Sequence, residues 1–152
     1  MHVGNYLALV HNSEQQLADA LVAVANHHGD EPDIAATCLL LSTWSNAHMQ
    51  ELKPLVDRYS EQKNEEPEQL YKTLFDTPRT GSLALLRDLH DLWLLANEVH
   101  LCWIVLSQAA KALQDSELST TCENCSDQTK RQIAWLITRI KQAAPQTLVV
   151  AA

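Results

Sequence analysis

Glycine and proline are scarce in this 152-residue chain, with three and five copies. That scarcity argues against folds built from many tight turns and favours long uninterrupted helices. Aromatic residues are few as well, at 5%, and charged residues make up 20% against 46% hydrophobic. Such a balance is globular, not disordered. The length predicts one domain spanning 1–152, able to bury a core without disulfides or a structural metal. Basic residues are the minority, 11 against 19 acidic, for a formal charge of −8. A negative surface repels phosphate backbones and anionic lipid heads, so nucleic acid is not an expected partner. Nor is a membrane, because no stretch approaches the ~18–20 apolar residues of a span. The longest candidate, Leu92–Leu106, is interrupted by Asn97, Glu98 and His100. Met1–Val10 shows no basic start and no cleavage site after an apolar run, so no secretory leader is expected. The thiols of Cys38, Cys102, Cys122 and Cys125 are therefore expected to be reduced, and the cytoplasm is the expected compartment.

Apolar residues recur at helical spacing through most of the chain. A first helix is predicted from about Val3 to His28, with the stripe Val3, Val10, Leu17 and Val24. Gly29 is its expected left-handed stop. A second helix is predicted from about Pro32 to Tyr59, because an acidic residue followed by proline marks a helix start. Its stripe is Ile34, Leu41, His48 and Leu55, and Pro54 predicts a kink near residue 50. A polar connection follows over about 60–81, with a short helix expected over 67–75. The third helix is predicted from Ser82, as N-cap, to about Gln114. It is apolar on almost every face between Leu83 and Leu106, as a helix buried on several sides is. The fourth runs from about Leu118 to Ala144, and Pro145 is expected to end it. The expected fold is thus all-α: four long helices in two antiparallel hairpins joined by a long crossover.

Several runs resemble small bacterial ferritin-like proteins. They are His28–Ile34, Trp44–His48, Leu85–Leu92 and Ala144–Leu148. The resemblance implies a ferritin-like four-helix bundle, whose hairpins are joined by one long crossover. It also implies a centre fed by a Glu from each of two helices and a Glu-x-x-His pair from each of the other two. Here Glu14, His48 and Glu98 match those positions. Ser45 stands where the Glu before His48 is expected, and the fourth helix offers no pair, reading Gln128, Gln132, Trp135 and Leu136. The implied centre is a reduced or vestigial metal site.

The residues themselves point the same way. Glu14 borders the first helical stripe and His48 sits in the middle of the second. Both lie roughly five turns from the intervening connection at ~1.5 Å rise per residue, so they are expected to face each other. A carboxylate and an imidazole in a dry interior either pair with each other or bind a metal. Glu98 lies among leucines and needs a partner, either a base such as Arg131 or the central cluster. Glu51 is one turn from His48. Cys122 and Cys125 read either as small core residues or as a redox or zinc half-site. His27 and His28 suit a helix C-terminus, and His90 and His100 are expected at the surface or an interface.

Two functions follow. One is a ferritin-like bundle holding one divalent metal on Glu14, His48 and Glu98, where oxygen and nitrogen ligands suit iron, manganese or zinc. The other is a non-enzymatic interaction module with a metal-free polar core. Its apolar third helix would pair two copies into a dimer.

Overall fold

The computed structural model describes residues 2–60, 75 and 78–150. Those residues form four α-helices, α1 Val3–His27, α2 Pro32–Arg58, α3 Ala84–Leu113 and α4 Ser116–Pro145, followed by one π-helical turn, Gln146–Val150. The expected helices are all present, with ends displaced by at most two residues. Most of the expected crossover, and the short helix over 67–75 except for Phe75, fall outside the described residues.

Local chemistry explains several ends and corrects others. Pro32 occupies the first turn of α2, followed by Asp33, where a missing amide hydrogen and a negative charge are both favourable. The helix continues through Pro54. Gly29 is not the left-handed stop. His28 caps α1 at φ −122°, its amide bonding to the Val24 carbonyl. The left-handed cap belongs instead to Gln114 at the end of α3, φ 55°. Asp115 then caps α4, its carboxylate accepting from the Leu118 amide at 3.1 Å. Ser82 does not cap α3; the position is held by Leu83, without any side-chain bond to the helix. Pro145 is the last residue of α4, not the residue beyond it, and the chain passes into the π turn.

Helix α1 packs on α2 and α3, and α4 packs on α3 and α2. Contacts between helix ends give the directions. The end of α1 meets the start of α3 through His28 and Asp88, 2.8 Å apart. The end of α2 meets the start of α4, where Arg58 pairs with Asp115 at 3.0 Å and also reaches Glu117. Tyr59 donates to Asp115 at 2.6 Å. Arg139, late in α4, pairs with Asp33 of α2 at 2.9 Å. So α1 and α3 are antiparallel, as are α2 and α4. The last residue of α2 and the first of α3 lie at opposite ends of the bundle.

The core is the leucine-rich interior that these four stripes enclose, including Leu7, Leu17, Leu52, Leu89, Leu106 and Leu136, with Trp103 the largest side chain fully buried. Each such aliphatic side chain contributes roughly 1.5–3 kcal/mol on burial. Not all of α3 is covered. Leu101 is 60% exposed, Ile104 43% and Val105 36%, and they share one face of the helix. By length and composition α3 reaches the measure of a membrane span despite Asn97, Glu98 and His100, and 39% of its most apolar stretch is buried in the bundle. Core helices of soluble bundles reach the same measure.

Candidate polar centre

The interior at mid-height is not purely apolar. Each helix sends one side chain into it: Glu14 from α1, His48 from α2, Trp103 from α3 and Gln128 from α4. His48 Nδ1 lies 2.6 Å from Glu14 Oε2, and Nε2 lies 2.7 Å from Gln128 Oε1, both at hydrogen-bond distance. An oxygen on each side suits a ring that carries hydrogen on both nitrogens, and the pKa of His48 is raised in that direction. The indole of Trp103 stands edge-on to that ring, centroids 6.2 Å apart at 85°. Glu14 is 0% exposed and His48 1%. The sequence expectation that these two residues meet is therefore met in the geometry: residues at equal depth on facing stripes of a hairpin come together.

Charges buried this deep are governed by competing effects. Burial pushes the Glu14 carboxyl above its ordinary value, opposed by the hydrogen bond and charge of His48. For His48 burial alone favours the neutral ring, but the hydrogen bond and charge of Glu14, then Gln128 and Glu51, outweigh it and raise its pKa. Each group offsets part of the other's burial cost, and both pKa values end above their ordinary ones. Among the described residues, the second oxygen of Glu14 and the Trp103 N–H each lack a partner of acceptable hydrogen-bond geometry. The indole is nevertheless near enough to favour the charged carboxylate.

A second polar tie lies beside the first. Gln132 donates to the Leu41 carbonyl at 3.0 Å and to Ser45 Oγ at 3.1 Å. Ser45 is fully buried, and it receives an amide where the resemblance implies a metal-binding carboxylate. Glu51 is exposed and accepts a long bond from the Cys125 thiol at 3.5 Å. Glu98 is half-buried on α3, where its charge acts on Cys102. Among the described residues, no group of three or more His, Cys, Asp or Glu side chains is placed to hold a metal ion.

The four cysteines are buried free thiols. Burial pushes Cys38, Cys102 and Cys122 up to about 12. Cys125 is pushed up too, by burial and then by Glu51 and Glu14. A thiol so disfavoured as thiolate is a poor nucleophile and a poor metal ligand, which favours the core-packing alternative for Cys122 and Cys125. His90 is exposed and His100 half-buried; burial and Lys130 lower the His100 pKa.

Two features of the interior lie outside the sequence expectations. Gln128 is not among the expected ligands, because an amide is not one of the expected metal-binding groups, yet it completes the centre. The ion cluster of His28, Asp88, Asp91 and Arg79 joins residues far apart in the chain. The available signal was two aspartates three apart inside the leucine-rich run Leu85–Leu92. No family model, curated protein or solved structure matches the chain.

Proposed function

We propose that this protein is a non-enzymatic interaction module, a ferritin-like bundle in which a hydrogen-bonded polar core takes the position of a metal centre. The observation carrying the proposal is that both nitrogens of His48 are engaged, one by Glu14 and one by Gln128. A metal bound through either nitrogen must displace a short, charge-assisted bond in a dry interior. The core then serves to fix helix register, the best-attested use of buried polar groups in helical assemblies. The ferritin-like assignment is supported by the helix arrangement, in which α1 neighbours α2 and α3, and α2 and α3 start from the same end. The partner is a second copy, docking through Leu101, Ile104 and Val105 of α3. Buried free thiols suit a reducing compartment such as the cytoplasm.

A second function has one observation in its favour. Among the described residues, Glu14 Oε1 has no hydrogen-bond partner of acceptable geometry, and a divalent iron, manganese or zinc ion on Glu14 and His48 would engage it. Thermal unfolding with each ion at 1 mM separates the two. The polar-core proposal expects no shift in midpoint. A ligand at 100 times its Kd stabilises by about 2.7 kcal/mol, so a shift of several degrees that Glu14→Gln abolishes favours the metal. Light scattering tests the partner: a dimer is expected at micromolar concentration, and Leu101→Glu is expected to give monomers. A wild-type monomer removes the proposed partner.

A further inference from the structure

The end of the bundle where α3 begins is held unlike the other. Helix α3 starts with neither a side-chain cap nor an acidic residue in its first turn, so its first amides have no partner from those sources. Residues 78–83 lead into it. Of these, Pro78, Thr80, Gly81, Ser82 and Leu83 are exposed, and only Arg79 is half-buried. Gly81 reverses the chain at φ 96°, a conformation that favours glycine. Arg79 reaches over the uncapped turn to Asp88, at 2.9 Å, and to Asp91 beyond it. Asp88 and Asp91 are only 2% and 4% exposed. The second oxygen of Asp88 pairs with His28 Nε2 at 2.8 Å.

We propose that Arg79 is an electrostatic latch, fastening residues 78–83 to the bundle end and holding the first two turns of α3 against His28. The chemistry makes the latch cooperative. A planar guanidinium presents two parallel N–H pairs and so grips two carboxylates at once. When it leaves, the two buried carboxylates keep, among the described residues, the imidazole of His28 alone as an ion-pair partner. Buried charge without compensation draws in water or forces the surrounding structure apart. The turn that must yield is the uncapped one. Release of the latch and opening of residues 84–91 are therefore one event, a local unfolding unit confined to this end. Among the described residues, the opposite end is tied differently: Arg58 there grips the start of α4, which has its own Asp115 cap.

Hydrogen exchange on the full chain, read by mass spectrometry under native conditions, tests the latch. Arg79→Gln is expected to exchange at least tenfold faster over residues 84–91, with α4 residues 118–136 unchanged. Adding Asp88→Asn and Asp91→Asn to that variant is expected to restore slow exchange, because no buried charge then calls for water. If Arg79→Gln does not fold, Arg79→Lys is compared instead. Its ammonium engages one carboxylate at a time, so the same amides are expected to show intermediate exchange. The latch is overturned by unchanged exchange over 84–91, by equal acceleration in all four helices, or by a triple variant as open as Arg79→Gln alone.

Discussion

Replacing His48 by alanine removes one half of a charge pair and leaves the other where it was. Glu14 stays fully buried, with one oxygen newly without a donor and the other already without one. Breaking a buried pair by deleting one partner costs about 3–5 kcal/mol, because an uncompensated charge remains. In a chain of this length 1 kcal/mol moves the melting midpoint by about 2–4 °C, so His48→Ala is expected to melt about 6–20 °C lower. The converse perturbation separates charge from packing. Replacing both partners by leucine removes the desolvation cost along with the attraction, and such replacements are often neutral or stabilising by about 1–4 kcal/mol. The double variant Glu14→Leu/His48→Leu is therefore expected to be more stable than His48→Ala by several kcal/mol. Urea unfolding followed by helical circular dichroism measures all three. A His48→Ala cost below about 1 kcal/mol would refute the buried pair. A double variant as damaged as the single would show that packing, not charge, governs this position.

Four further outcomes are expected. The pKa of His48 is raised above its ordinary 6.5; the stability it contributes is thus complete below 6.5 and lost as pH rises through the higher folded value. The urea midpoint of the wild type should fall over that window, and that part of the slope should vanish in His48→Gln. Gln128→Glu places a second carboxylate on the imidazole and is expected to gain zinc binding by calorimetry; no gain would mean that the amide is not what closes the site. Asp115→Ala removes the α4 cap and should cost about 0.5–2 kcal/mol. The Asp115 pKa is lowered, first by the Tyr59 hydrogen bond, so its contribution is present above its unfolded value and lost as pH falls through the lowered one, seen as a wild-type acid limb absent from the variant. The four thiols should react with a disulfide reagent at pH 8 only after denaturation, since burial raises all four; rapid labelling of Cys122 or Cys125 in the native protein would reopen the reactive-thiol reading.

Much of this fold is written at short range. Periodic leucines and valines set the four helices, and Pro32 and Asp33 set where α2 starts. The meeting of Glu14 with His48 was legible because a hairpin fixes relative depth: two residues equally far from one connection must oppose each other. What lay beyond reach was decided between hairpins. Gln128 joins His48 from 80 positions away, and the rotation of α4 that aims it inward comes from packing against α3. The latch of Arg79 depends on which helix ends are neighbours, and no local pattern states that. Gly29 misled because glycine permits a left-handed residue without requiring one; Gln114 took that conformation where the next helix begins two residues later.

The state of the His48 ring tests the central claim most directly. Nitrogen-15 NMR of labelled histidine at neutral pH should show one imidazole with both nitrogens protonated, both hydrogens protected from solvent, and no change on adding zinc. A His48 ring with a bare nitrogen, or one whose nitrogen resonance moves when zinc is added, would contradict the closed polar centre.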